Sequence, residues 1–158
     1  MTSPAASESR SSTDMDRKAA MAVLAQTRPE DLAKAYSSLP VAPDYDFVRP
    51  PETGLVMVRG RTGGSGQPFN LGEATVTRCV VRLAGGQTGH AYVLGRHKTK
   101  AVHAAVCDAL WQCETSRPLV MASVLQPLKT RQEAEAARLA AETAATKVDF
   151  FTMVRGDD

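Results

Sequence analysis

The stretch ATVTRCVVRL, Ala74 to Leu83, is rich in β-branched residues and, with Glu73 before it, reads as a strand. It decides the fold because everything around it then falls into place as a sheet. After it, Gly85-Gly86 predicts a hairpin turn into a further strand, Gly89 to Leu94. Before it, GGSGQPFNLG, Gly63 to Gly72, is too glycine-rich for regular structure and reads as a loop. Leu55 to Thr62 leads into that loop as another strand. Tyr45 and Phe47 alternate with Asp44 and Asp46, which predicts a half-buried strand stopped by Pro50-Pro51. Four strands so connected make a small antiparallel meander, because parallel pairing needs crossovers that the chain lacks. Within the central stretch, Arg78 and Arg82 share a face with Ala74, Val76 and Val80. An arginine set among β-branched residues needs a partner; Glu52, Glu73 or a carboxylate of another chain could supply one.

Helices flank the sheet, giving an α+β class. Met15, Ala19, Ala22 and Val23 recur at helical spacing. Thr27 with Glu30 has the spacing of a capping box, opening a second helix that ends before Leu39-Pro40. After Gly95, Val102, Ala105, Val106, Ala109 and Leu110 form one stripe. Arg117-Pro118 breaks that helix, and Leu119 to Leu125 is apolar but ambiguous between strand and buried loop. Thr130 and Glu133 offer a second capping box for a last, alanine-rich helix.

The chain has 158 residues, enough to bury a core without disulfides or metals. Residues 1–13 are Ser, Ala and Thr with little else and are expected to be a disordered tail before a single domain, 14–158. A net charge of +2 gives no argument for nucleic acid or an anionic membrane as partner. No apolar run reaches the ~18 residues of a membrane span. The first residues lack the apolar stretch of a secretory signal, so the cytoplasm is the expected compartment. Three cysteines, Cys79, Cys107 and Cys113, read as reduced thiols; they have no C-x-x-C spacing for an iron–sulfur cluster.

Two places could hold an anion. Arg61 with Gly63 and Gly64 could cradle a phosphate on backbone amides, although no Lys-Ser or Lys-Thr follows as in a P-loop; the plainer reading is a connection between strands. At Gly95-Arg96-His97-Lys98-Thr99-Lys100 a strand ends and a helix begins, so free N–H groups gather beside cations that oppose the helix dipole. Either an anion sits there, held by Arg96 and Lys98, or the turn is solvated and Thr99 is its N-cap. Arg78 is a third candidate, as a phosphate contact or as a structural ion pair. None of His90, His97 and His103 has a neighbour pattern that makes it catalytic or a metal ligand.

The segment VDFFTMVRGD, Val148 to Asp157, is apolar and aromatic where chain ends usually fray, so it is expected to dock. Its Phe150, Phe151, Met153, Val154 and Arg155 are the residue types of interface anchors; the Arg155-Gly156-Asp157 tripeptide reads as coincidence. Together with Glu52 to Val56, Gly63-Gly64, Ala74 to Leu83, Gly95-Arg96, Lys98 and Asp108-Ala109-Leu110, this segment resembles the PhnG family, the G subunit of the carbon–phosphorus lyase core complex. The family more usually has Asp where this chain has His97. The resemblance implies an α+β subunit that assembles with H, I and J subunits in two copies each. With H, I and L it would support displacement of adenine from MgATP by a phosphonate at ribose C1, giving ribose 1-methylphosphonate 5-triphosphate. It further implies a nucleosidase-type site on the I subunit, and an iron–sulfur cluster with S-adenosylmethionine on another subunit. This chain would bind no cofactor or metal and would not be catalytic alone: a structural and accessory part of a transferase. The alternatives are phosphate-gripping residues in a composite active site, or a stand-alone anion- or nucleotide-binding module.

Overall fold

β-Branched alternation builds the centre of the molecule, and small residues let a helix lie on it. The computed structural model describes residues 15–40 and 43–147. Helices α1 (Arg17–Gln26) and α2 (Pro29–Ser37) precede strands β1 (Tyr45–Arg61), β2 (Pro68–Leu83) and β3 (Thr88–Leu94). Helix α3 (Lys98–Gln112) follows, then α4 (Arg117–Val120), a π-helical turn (Met121–Leu125) and α5 (Gln126–Ala145). The sheet is an antiparallel meander in the order β1-β2-β3. The expected architecture is present, with three strands rather than four.

The missing break lies at Pro50-Pro51. Edge strands accept proline, because their outer N–H groups have no ladder partner. β1 is an edge strand, and its register with β2 slips between Phe47 and Arg49 and again between Arg49 and Glu52. Those bulges pass the prolines without ending the strand. The expected loop over Gly63 to Gly72 is likewise shorter: β2 starts at Pro68. Only residues 62–67 turn the chain, with Gly63 and Gly64 at φ 60° and 83°.

Cys79, Val81 and Leu83 of β2 and Ala91 and Val93 of β3 face α3, whose Ala101, Ala104, Ala105, Val106 and Cys107 are buried against them. Gly89 permits the closest approach: a Cβ there would collide with the carbonyl oxygen of Ala105 and the amide of Ala109. Ala20, Val23 and Leu24 of α1, Leu32 of α2 and Val120, Val124, Leu125 and Leu128 complete the core. Ala19 and Ala22, expected on the buried stripe of α1, lie on its exposed side.

Both capping-box expectations fail for physical reasons. Pro29 occupies the first turn of α2, so Arg28 becomes the N-cap; Thr27 instead closes α1, its hydroxyl donating to the Val23 carbonyl at 2.7 Å. Thr130 lies inside α5, which runs on from the π turn. The segment expected as strand or loop, 119–125, is thus helical. Pro127 lacks an N–H for the Ser123 carbonyl, and the wider turn accommodates that loss. Ser38 Oγ stands 3.4 Å from this carbonyl, although its proton has a nearer acceptor in Ala35 O at 2.7 Å. Among the described residues no helix is long and apolar enough to cross a membrane.

The sheet outruns its cover. Residues 54–72 form a two-stranded arm beyond the helices, and none of them belongs to the core. On it Leu55 is 61% exposed, Met57 50% and Leu71 66%, with Val58 and Phe69 also exposed. Thr53 faces the buried Thr77, hydroxyl to hydroxyl at 3.3 Å. Alternation from Thr53 therefore puts Leu55 and Met57 on the continuation of the sheet's core face. Phe69 closes the tip by lying over Gly60.

Candidate functional site

The six candidate anion-binding residues occupy three separate places. Arg61, Gly63 and Gly64 are at the arm tip. There Arg61 Nη1 donates to the Gly66 carbonyl at 3.2 Å, and the Gly66 N–H donates to Thr62 O at 2.8 Å. The loop therefore spends part of its own hydrogen-bonding capacity internally. Arg78 lies on the sheet face away from α3, its Nε donating to Glu52 Oε1 at 2.7 Å. Of the partners open to Arg78 it is thus Glu52 that pairs with it, and Arg49 stands 3.6 Å from the same carboxylate oxygen.

Arg96 and Lys98 occupy the third place, where β3 passes into α3. Gly95 adopts φ 85°, a conformation suited to glycine. Its N–H donates to Thr75 O at 2.8 Å, and its carbonyl accepts from Thr77 Oγ1 at 2.6 Å, so the corner is pinned to β2. His97, not Thr99, is the N-cap. It provides no side-chain cap to the helix, and no acidic residue stands in the first turn. Arg96, His97, Lys98 and Thr99 are all exposed, and Arg96 and Lys98 form no ion pair among the described residues. Uncapped N–H groups and two free cations thus open on solvent together. Along β2, Pro68 at the arm tip is seven residues, about 23 Å, from Thr75 at this corner. The arm tip and the corner cannot grip one phosphate group.

Lys100 anchors the corner from below. Only 7% exposed, it donates from Nζ to the Ala25 carbonyl at 2.6 Å. A cation at the carbonyl end of α1 complements that helix's dipole; burial lowers the amine's pKa.

The best-satisfied polar group was not legible in the sequence. Asp108, inside the alanine face of α3, has a side chain 1% exposed. It accepts Arg17 Nε and Nη2, each at 2.8 Å, and the His90 N–H at 3.0 Å. Gln112 Nε2 stands 3.4 Å from the same carboxylate. The bidentate bond raises the Arg17 pKa above its ordinary value. The signal in sequence was a lone aspartate on an apolar helix; its partner lies 91 positions away. This knot ties α1, β3 and α3 together.

Among the thiols, Cys79 and Cys107 are buried, and burial raises the pKa of both, Cys107 to about 12. Cys113 is half-buried; hydrogen bonding to Thr115 brings its pKa down to about 7. Among the described residues no three His, Cys, Asp or Glu side chains gather as a metal site. The candidate interface residues Phe150, Phe151, Met153, Val154 and Arg155 lie outside the described residues.

Residues 15–156 match the family described as "Phosphonate metabolism protein PhnG". A relative from Rhizobium meliloti (strain 1021), named alpha-D-ribose 1-methylphosphonate 5-triphosphate synthase subunit PhnG, is 50% identical over 142 residues. That alignment covers 90% of this chain and 90% of the relative. With half the residues shared across nine-tenths of both chains, the sequence belongs to the PhnG family of phosphonate metabolism proteins.

Proposed function

We propose that this chain is a structural and accessory subunit of the carbon–phosphorus lyase core complex, acting in the cytoplasm with H, I, J and L subunits. In that role it supports transfer of ribose triphosphate from MgATP to a phosphonate, giving ribose 1-methylphosphonate 5-triphosphate. Nucleotide displacement then belongs to another subunit, as do the iron–sulfur cluster and S-adenosylmethionine of the later bond cleavage. The observation that carries this reading is the apolar arm: Leu55 and Met57 extend the core face into solvent, and Leu71 of the same arm is exposed. An exposed apolar surface of that kind marks a protein–protein contact. A subunit whose described polar groups mostly serve its own fold, and whose apolar arm serves no part of it, is built to be covered.

One observation favours a second reading, a composite active site. Arg96 and Lys98 stand unpaired at the uncapped start of α3, where a phosphate would find two cations and free N–H groups. Co-expression of the tagged chain with the other subunits, followed by assay with MgATP and methylphosphonate, separates the two. Under the structural reading Phe69→Asp with Leu71→Asp abolishes retrieval of the partners, while Arg96→Ala leaves an assembled complex with turnover intact. An assembled but inactive Arg96→Ala complex establishes the composite site instead. Turnover by the chain alone overturns both.

A further inference from the structure

Among the described residues, no strand pairs with the outer edge of β3, whose second half lies open beside an apolar groove. It is the last strand of the sheet, and no proline or bulge blunts it; α3 caps only its first half, where Gln112 Nε2 donates to the Thr88 carbonyl at 2.9 Å and Asp108 accepts the His90 N–H at 3.0 Å. In an antiparallel ladder alternate residues turn their N–H and C=O groups outward. The His90 N–H points out of the sheet to Asp108, so Tyr92 and Leu94 present their backbone groups along the same free edge. Beside that edge lies a cleft of about 510 Å³ between Met21, Ala22 and Ala25 of α1 and residues 90–93 of β3. It is apolar within; Lys18 stands at its rim beside Arg17, whose charge Asp108 already meets.

The same chain carries a segment of complementary chemistry. Val148 to Val154, VDFFTMV, is β-forming and apolar. When extended, it places Phe151 and Met153 on one side, with Asp149 two positions before. Residues 148–158 hold three aspartates against one arginine, opposite in sign to Lys18 at the rim of the cleft.

Geometry decides which copy supplies it. Helix α5 meets α1 through Gln132, at Val23 and Thr27, and meets Arg28 through Glu135, so it leaves at the end of α1 away from Arg17. From Gln132 to Ala145 it rises about 20 Å with every residue after Gln132 exposed. Thr146 and Lys147 still bond to its last turn. Phe151, the first residue to be docked, is four residues beyond Lys147, at most ~14 Å. It cannot return to the groove of its own chain, but α5 is placed to deliver it elsewhere.

We propose that residues 148–154 of a second copy of this chain add to the outer edge of β3, with Phe151 and Met153 entering the cleft under α1. Strand addition of this kind takes affinity from the backbone edge and selectivity from the pocket. Exchanged reciprocally, it closes a two-fold dimer.

The test uses two differently tagged full-length copies, both carrying Cys113→Ser, co-expressed without other subunits. One copy bears Ala22→Cys in the groove and the other Phe151→Cys. Mild oxidation is expected to yield a disulfide-linked pair carrying both tags, while Lys34→Cys on exposed α2 in place of Ala22→Cys yields at least tenfold less. Equal yield from both positions, or no disulfide at all, overturns the proposal. So does a chain carrying both cysteines that closes only on itself. Because no partner subunit is present, these outcomes are independent of the role proposed above.

Discussion

Asp108 shows how much one buried carboxylate can organise. It receives two guanidinium N–H groups from α1 and a backbone N–H from β3, with 1% of its side chain exposed. Removing it leaves Arg17 and the His90 N–H unmet together. Asp108→Ala is expected to destabilise the purified chain by about 3 kcal/mol in urea unfolding. This is the lower end for a broken buried pair, because Arg17 keeps 36% exposure. His103 is the opposite case. Its ring stacks on Tyr36 at 4.2 Å and 9°, but its buried Nδ1 has no partner among the described residues. Burial lowers its pKa from 6.5, so below pH 6.5 the unfolded chain binds the proton more readily than the folded one. Stability therefore falls as the pH drops through that range. His103→Phe keeps a stacked ring and removes the orphan nitrogen. It is expected to gain about 1 kcal/mol at pH 7 and to flatten the stability profile just below pH 6.5, measured by thermal unfolding. Neither site could be read from sequence: Asp108 and His103 sit on an apolar helix as single polar letters, and their meaning depends on Arg17 and Tyr36, far along the chain.

At the scale of elements, local pattern was a good guide wherever one face was buried. β2, β3 and α3 lie where alternation and helical spacing put them, because each buries a regular side against the core. The guide failed where local chemistry had two outcomes. Pro50-Pro51 stops a central strand but not an edge strand with bulges, and only the sheet order distinguishes them. Thr27 can cap a following helix or close a preceding one, and Pro29 made the choice. Gly89 was counted simply as the start of a strand, yet it sets the distance between layers, since a Cβ would strike the α3 backbone at Ala105 and Ala109. Backbone on both sides cannot yield as a flexible side chain would. Gly89→Ala is therefore expected to cost 3 kcal/mol or more, the top of the overpacking range, and to lower the melting temperature by about 10 °C. The arm glycines Gly54 and Gly72 have open space around them and serve as controls with little effect.

For the whole molecule, the distribution of core residues separates a body from its projections. The buried cluster draws on α1, α2, α3, β2 from Cys79 onward, β3 and the helical run from Val120 to Leu128, but on nothing between residues 46 and 78. The arm is therefore carried by the fold without holding it together. Its exposed Met57, Val58, Phe69 and Leu71 would be a solubility cost with no return in an isolated protein. The candidate anion residues divide the same way, with Arg61 on the arm and Arg96 and Lys98 on the body. This division can be tested by excision. Val56 and Ala74 are paired across the arm, so replacing Met57–Glu73 with Asn-Gly closes a two-residue hairpin at a register the sheet already uses. The shortened chain is expected to unfold within about 1 kcal/mol of its parent, because no core contact is lost. It is also expected to lose co-purification with the H, I and J subunits. A chain that no longer folds would make the arm part of the core; a chain that folds and still assembles would move the interface to the exposed half of α5 and the segment beyond it.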